Sequence, residues 1–148
     1  MKRRSTADMQ CSIARSLDVL GDPWTLLIVR DALLGVRRFD DWVRRLGVPR
    51  ATLAARLAHL CEHDVLLADG DGYRLTPKGR ALQPVIITLM QWGDQWQRDD
   101  PPPTRFVDAA TAAPIVPVLV DRATNRPLAE LEVRAVGSIA AGIRRTGD

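Results

Sequence analysis

Apolar side chains recur every three or four positions through the first half of this chain, which is the spacing of amphipathic helices. The first such segment covers about residues 10–20, and its apolar face is formed by Ile13, Leu17 and Leu20. A second segment begins at Asp22-Pro23, a helix cap followed by proline at the first helical position, and ends before Gly35. The pattern therefore predicts two helices joined by a short turn.

The next two segments repeat the pattern around the stretch LGVPRATLAARL, residues 46–57. A third helix is predicted over about residues 39–46 and a fourth from Pro49 to about Glu62, with a tight turn at Gly47–Pro49. The side chains expected to face inward are Phe39, Trp42, Val43, Leu46, Leu53, Leu57 and Leu60. At about 100° per residue, the other side of the fourth helix carries Thr52, Ala55 and His59, flanked by Arg50 and Arg56.

Beyond the fourth helix the pattern becomes that of two short strands. Val65–Ala68 and Tyr73–Leu75 flank the sequence Asp-Gly-Asp-Gly, which is a strong signal for a β-hairpin. Thr76-Pro77 then repeats the combination of cap and proline, and a fifth helix is predicted over about residues 77–98. Its long seam of large apolar residues favours packing against a second copy of the chain.

The sequence predicts one main domain with a small appendage. Residues 1–98 form the predicted domain of helices and hairpin. Three successive prolines cannot continue a helix, so residues 99–112 are predicted to be a linker. Residues 113–148 are predicted to form a small β extension, with strands over about 115–121 and 128–136 and a tail.

Basic charge is concentrated in one segment. The formal net charge is only +3, but all of the 21 basic residues except Lys2 and Lys78 are arginines. Six arginines between Arg37 and His59 stand against two aspartates, a local excess of four positive charges. Such a cluster suits a surface that meets a polyanion, although a solvated helical face would carry similar charge.

Several classes of function are disfavoured by what the sequence lacks. No run of about 18 apolar residues occurs, so we expect no contact with a membrane. The basic start lacks the apolar stretch of a secretory signal, so a cytoplasmic location is expected. Two cysteines and two histidines without ligand spacing predict no metal site. Without a P-loop, nucleophile elbow or dinucleotide fingerprint, we expect neither a cofactor nor enzyme activity.

The predicted order of three helices, a tight turn, a fourth helix and a hairpin is that of a winged helix-turn-helix, an α+β, mainly α fold. The fourth helix can enter the DNA major groove when its apolar stripe is held from behind and its other side is polar. The candidates for contact with base edges are Arg50, Thr52, Arg56 and His59. For Arg56, which lies on the flank of the helix, bracing a neighbouring element is the alternative.

Three stretches make the chain resemble the HxlR-type winged-helix transcriptional regulators of bacteria. They span about residues 11–96 and read CSIARSLDVLGDPWTLLIVRDALLGVRRFDDW, LGVPRATLAARLAHL and YRLTPKGRALQPVIITLMQWGDQW. The resemblance implies a homodimer that binds a near-palindromic operator in double-stranded DNA, and we expect a repressor. The expected dimer contacts are Ile13, Leu17, Leu82, Val85, Ile86, Leu89, Trp92 and Trp96. The expected phosphate contacts are Arg37, Arg38, Arg44, Arg45 and Lys78.

The sequence leaves more than one interpretation of how the protein is regulated and of whether the wing contacts DNA. The hairpin tip ADGDG is shorter and more acidic than is usual in the family, so weak or no contact between wing and DNA is expected. Cys11 is a candidate sensor of oxidants or electrophiles, and a packing role in the dimer interface is the favoured alternative. A small-molecule effector is a further hypothesis. The rival to DNA binding is a protein-interaction module that uses the helix-turn-helix only as a scaffold.

Overall fold

The computed structural model describes residues 11–137, which divide into two compact units with the boundary between Ile86 and Ile87. The first unit opens with four helices: α1 (Ser12–Leu20), α2 (Pro23–Leu33), α3 (Phe39–Leu46) and α4 (Arg50–Glu62). The hairpin follows, with strands β1 (Leu66–Asp69) and β2 (Gly72–Leu75), and then two helices, α5 (Pro77–Arg80) and α6 (Gln83–Trp96). The predicted α+β winged helix-turn-helix is confirmed.

The core of the first unit forms where α2, α3 and α4 meet. Leu53, Leu57 and Leu60 of α4 are fully buried, which confirms the predicted inward stripe. The other fully or almost fully buried apolar side chains are Ile28, Val29, Trp42, Val48, Val65 and Leu66. Burial on this side leaves the opposite side of α4 outside the core.

Local cap residues set the angles between the helices. The Asp22 carboxylate accepts a hydrogen bond of 3.0 Å from the Trp24 backbone N–H at the start of α2. Gly47 ends α3 in the left-handed conformation, with φ of 63°, which glycine adopts without a steric penalty. Pro49 is the cap of α4, so the tight turn predicted between α3 and α4 is confirmed.

The hairpin is held against the loop between α2 and α3. Its strands pair antiparallel from Leu66↔Leu75 to Asp69↔Gly72. The backbone N–H of Tyr73 donates to the carbonyl of Arg37 at 2.9 Å. A Cβ on Gly72 would lie 2.3 Å from that carbonyl oxygen, so only glycine allows the approach. The hairpin is thereby fixed beside α3.

The prediction of one helix over residues 77–98 is wrong, because α5 ends at Arg80 and α6 begins at Gln83. Pro84 explains the break: its ring would clash with the carbonyl four residues earlier, which belongs to Arg80. α5 is fixed in place by Gly79, where a Cβ would lie 2.2 Å from the Val65 carbonyl oxygen. Within the described residues, no helix is long and apolar enough to cross a membrane.

The strands predicted over 115–121 and 128–136 are also wrong. The described part of this extension has isolated antiparallel bridges, Val107↔Pro114 and Val120↔Pro127, and a short 3₁₀ turn. Proline has no N–H to donate, and one partner in each bridge is a proline, so the pairing does not extend into a ladder.

A tandem repeat underlies these two bridges. Residues 107–114, VDAATAAP, and residues 120–127, VDRATNRP, share the pattern V-D-x-A-T-x-x-P. In each copy the aspartate accepts hydrogen bonds from the backbone N–H and hydroxyl of the threonine three residues later. Each copy also has a residue with positive φ just after that threonine, Ala112 at 58° and Asn125 at 55°. The pattern was present in the sequence, but the strand interpretation overlooked it.

Candidate nucleic-acid interface

The outward side of α4 begins with Arg50. Its Nη1 donates to Asp40 Oδ1 at 2.7 Å, and its guanidinium lies over the Phe39 ring, 4.8 Å from the centroid. Thr52 is half-buried, and Ala55 is exposed. The start of α4 thus presents a cation and small side chains on a side that the core does not cover, and Arg50 is braced by α3.

Arg56 contacts a neighbouring helix. Its Nη2 lies 3.0 Å from Asp22 Oδ2, so it pairs with the residue that caps α2. This is the bracing contact that the sequence offered as an alternative to DNA contact. The pair locks the middle of α4 to the start of α2.

The structure does not place His59 on the open side of α4. Its Nε2 lies 3.2 Å from the Val19 carbonyl oxygen of α1, and its ring meets that of His63 edge-on at 4.5 Å. This contact holds the half-buried His59 ring against α1. The helical angle alone grouped His59 with Thr52, because the position of α1 could not be known from that angle.

The arginines expected to contact phosphate are mostly paired with aspartates of the same chain. The contacts are Arg37 with Asp69 at 2.9 Å, Arg44 with Asp41, and Arg45 with Asp31 at 3.1 Å. Arg38 is exposed and has no ion pair within the part that the structure describes. Lys78 donates from Nζ to the His63 carbonyl at 2.7 Å. All five remain on the surface, and four of them already have a partner.

Asp31 is a key residue that sequence analysis missed. It is fully buried in α2, where Oδ1 accepts from Arg30 Nη2 at 2.8 Å and Oδ2 from Arg45 Nε at 3.1 Å. The carboxylate therefore joins α2 to α3. The available signal was a single acidic residue inside the apolar stretch of α2, flanked by Arg30.

The hairpin tip carries acidic charge, as expected. The Asp69 carboxylate accepts a hydrogen bond from Arg37 and also lies 3.5 Å from Arg74 Nε. Arg74, the basic residue of the hairpin, is therefore already paired with an aspartate. Asp71 is exposed at the tip. This arrangement leaves the wing with little attraction for phosphate.

Most of the apolar side chains expected at a dimer interface are exposed. They are Ile13 and Leu17 on α1, and Val85, Leu89, Trp92 and Trp96 on α6. The α6 positions follow helical spacing and form a stripe on one side of the helix. Ile86 is only 6% exposed, and Leu82 is half-buried. The six exposed residues remain candidates for the dimer interface, whereas Ile86 has little surface to contribute to it.

Neither cysteine belongs to a cluster that could bind a metal among residues 11–137. Cys11 is half-buried at the cap position of α1, and its backbone oxygen accepts from the Arg15 N–H at 3.1 Å. Burial raises the pKa of the Cys61 thiol, which keeps it protonated and unreactive.

The arrangement of these elements matches that of known proteins. The family model for HxlR-like helix-turn-helix proteins matches residues 19–101, which is more than half of the chain. The chain belongs to the HxlR-like helix-turn-helix family. This match confirms the resemblance to HxlR-type regulators that the sequence shows between Cys11 and Trp96.

Relatives of this HxlR-like chain bear names that agree with the assignment. It is 45% identical over 103 residues to Rv3095 of Mycobacterium tuberculosis, named an uncharacterized HTH-type transcriptional regulator. That match covers 64% of this chain and 65% of the relative, so it spans less than two thirds of the relative's length. A second relative, sll1512 of Synechocystis, carries the same kind of name and is 32% identical over 94 residues, covering 58% of this chain and 70% of that protein.

Solved structures share the fold. The crystal structure of PA1607, a proposed transcription factor, has a TM-score of 0.81 and 38% identity, and the match covers 91% of this chain and all of that one. A match of that extent reaches beyond residues 19–101 into the C-terminal extension. Quinone-bound YodB of Bacillus subtilis has a TM-score of 0.54 and 29% identity, and covers 60% of this chain and all of that one.

Proposed function

We propose that this HxlR-like protein is a sequence-specific DNA-binding transcriptional regulator that acts as a homodimer on a near-palindromic operator. The observation that carries the proposal is the two-sided character of α4. Its apolar side is buried at Leu53, Leu57 and Leu60, while Arg50 at its start and Ala55 near its middle are exposed. A helix held from behind and open in front fits the major groove.

The apolar stripe of α6 supports dimerisation. Trp92 and Trp96 are 55% and 64% exposed in the single chain, and large aromatic side chains at such exposure are typical of an interface. In a symmetric pair, two α4 helices about 34 Å apart would enter successive major grooves. A palindromic operator follows from that symmetry.

The surface arginines support binding to phosphate. Arg38 is unpaired among the described residues, while Arg37 and Arg44 have exposed aspartate partners. Exposed pairs contribute little to folding stability, about 0–1 kcal/mol, so a phosphate can replace the aspartate at small cost. The expected contacts are thus arginines that exchange an intramolecular carboxylate for the DNA backbone.

Footprinting on the DNA upstream of the protein's own gene tests the proposal. Purified protein should protect two half-sites about one helical turn apart. Arg50→Ala should weaken the complex about tenfold, because one charged contact to DNA is lost. The matched control is Arg122→Ala, an exposed arginine of the second unit, which should leave the affinity unchanged. If no footprint forms, the protein-interaction alternative is favoured.

Repression is the regulatory direction we infer, because a dimer seated across a promoter would exclude RNA polymerase. A reporter fused to the protected region should rise in activity when the gene is deleted. A fall in activity would identify an activator instead.

For Cys11 we propose a packing role in the dimer interface. The thiol is half-buried at the cap of α1, beside the exposed Ile13. Because YodB has a quinone-bound structure, a quinone is one test reagent. Diamide, a general thiol oxidant, is the other. We expect the operator complex of the wild type and of Cys11→Ser to respond equally to both reagents. Loss of DNA binding in the wild type alone would establish a sensor.

A further inference from the structure

A cavity of about 280 Å³ lies in the first unit, between α1, the start of the hairpin and the segment from α5 to α6. Its apolar wall is formed by Val19, Leu20, Val65 and Leu82. Two cations, Arg15 and Lys78, line it as well. Neither DNA binding nor dimerisation, as proposed for this protein, requires this cavity.

The polar groups of the cavity favour an anion. Arg15 has no ion pair among residues 11–137, and Lys78 uses one of its three N–H donors on the His63 carbonyl. The Ser16 hydroxyl, also at the cavity, donates to the Ser12 carbonyl at 2.9 Å. Among the residues that the structure describes, no acidic side chain lines the cavity. Positive charge there is therefore not neutralised by the residues around it.

A second cleft of the same unit shows the contrast. It lies beside the hairpin tip and is lined by Arg38 and Arg44, but also by Asp40, Asp41 and Asp71. Three carboxylates of the same chain line this cleft, and one of them, Asp41, is paired with Arg44. An anion bound in this cleft would have to compete with those carboxylates. In the cavity between α1 and α5 it would meet no such competitor among the described residues.

The size and the wall of the cavity restrict the ligand further. Pockets for drug-sized molecules begin at roughly 300 Å³, and this one falls just below that size. Four aliphatic side chains favour a ligand with an apolar body. One ring or a short alkyl chain bearing a single negative group satisfies both conditions.

We propose that this cavity binds a small amphiphilic monoanion, an aryl or short alkyl carboxylate, with Arg15 and Lys78 at the carboxylate. The lining is bonded directly to the end of α4. The Val19 carbonyl contacts His59 Nε2 at 3.2 Å, and Lys78 donates to the carbonyl of His63, the residue that caps the C-terminus of α4. A ligand in the cavity would therefore contact residues that are hydrogen-bonded to the end of α4, and any consequence for DNA binding rests on the proposed function.

Calorimetric titration of the full-length protein with sodium benzoate and sodium hexanoate tests the site. Benzamide has the shape of benzoate without its charge, and acetate has the charge without the apolar body. We expect millimolar or tighter binding of benzoate or hexanoate, at least tenfold stronger than of benzamide or acetate. Arg15→Gln should weaken this binding at least tenfold, and Arg15→Lys should restore most of it.

Arg122→Gln is the matched control, because Arg122 is an exposed arginine in the other unit. Circular dichroism would verify that each variant is folded. The proposal is overturned if neither carboxylate binds, if benzamide binds as well as benzoate, or if Arg15→Gln leaves the affinity unchanged. The titration contains no DNA, so its failure would leave the proposed function standing, and a missing footprint would leave the ligand site standing.

Discussion

At the scale of single residues, most arginines of the basic segment form ion pairs with aspartates of the same chain. The pairs join Arg37, Arg44, Arg45, Arg50 and Arg56 to Asp69, Asp41, Asp31, Asp40 and Asp22. The pairs differ in burial: Asp31 is fully buried, whereas Asp40 is 64% exposed in its side chain. Burial separates the pair that joins two helices of the core from the pairs that lie at the surface.

Asp31→Asn should destabilise the first unit. Breaking a fully buried pair costs 3–5 kcal/mol, but Arg30 and Arg45 both reach solvent, so we expect about 2 kcal/mol. Urea denaturation followed by circular dichroism measures the change. Asp99→Asn, at an exposed position outside the first unit, is the control and should be neutral. Equal stability of the two variants would contradict a structural role for Asp31.

Asp40→Asn should strengthen DNA binding. The substitution frees Arg50 from its 2.7 Å pair and removes a negative charge close to the proposed interface. We expect a severalfold rise in affinity, and a salt dependence steeper by up to about one unit if Arg50 gains a phosphate. Fluorescence anisotropy over a range of salt concentrations measures both, with Asp99→Asn as the control. Weaker binding would show that Asp40 orients Arg50 for the DNA.

At the scale of elements, two glycines decide where the hairpin and α5 lie. Gly72 lets β2 approach the carbonyl of Arg37, and Gly79 lets α5 approach the carbonyl of Val65. In both places the contacted atom belongs to the backbone, which cannot move aside as a side chain can. The short helix α5 therefore depends on close packing more than on its four residues.

Gly79→Ala should destabilise the first unit by about 1–3 kcal/mol, the usual cost of overpacking. The added methyl group would lie 2.2 Å from a carbonyl oxygen. Gly70→Ala is the control, because a Cβ there meets no atom within 4 Å. Thermal denaturation should show a lower Tm for the first variant alone. An unchanged Tm for Gly79→Ala would mean that α5 shifts at no cost.

The repeated turns of the extension should open in acid. Hydrogen bonds from the Thr111 hydroxyl and N–H lower the pKa of Asp108, and Thr124 lowers that of Asp121 in the same way. A carboxylate with a lowered folded pKa stabilises its turn above the unfolded value, about 3.9. That contribution is lost as the pH falls through the folded pKa.

Amide exchange measured by NMR should therefore show Thr111 and Thr124 losing protection together at low pH. In Asp108→Ala, which removes the accepting oxygens, the Thr111 amide should be unprotected at every pH, while Thr124 keeps its transition. Protection of Thr111 that does not change with pH in the wild type would contradict the role of the carboxylate.

At the scale of the whole molecule, two groups of exposed apolar side chains lie at helical spacing on α-helices of the described chain. One is the α6 stripe, where Val85, Leu89, Trp92 and Trp96 are exposed, and the other is Ile13 with Leu17 on α1. Large exposed patches are rare on monomers. A symmetric pair of chains would remove these side chains from water.

Trp92→Glu should give a monomer that no longer binds the operator. A charge buried at an interface is strongly unfavourable without a partner, whereas on an exposed helix of the free chain it is tolerated. Analytical ultracentrifugation and gel shift measure the two effects. Gln95→Glu introduces the same charge at another exposed position of α6 and should leave the dimer intact. A dimeric, DNA-binding Trp92→Glu protein would place the interface elsewhere.

Sequence by itself determined the order of the elements, the cap at Asp22, the tight turn at Gly47–Pro49 and the buried stripe of α4. These follow from local spacing and backbone preferences, which neighbouring residues encode. The break before Pro84 was encoded locally as well, but it was misinterpreted as part of a longer helix. The repeated turns were also encoded locally: the first, at Asp108, lies in the predicted linker, and the second, at Asp121, overlaps the end of the strand predicted over 115–121.

Only the tertiary structure decided which polar groups are free. Arg45 meets Asp31 across 14 positions of the chain, and His59 meets Val19 across 40. No periodic pattern specifies such partners, because they depend on how whole helices pack against each other. For the same reason, the cavity beside Arg15 exists only where α1, the hairpin and α5 come together.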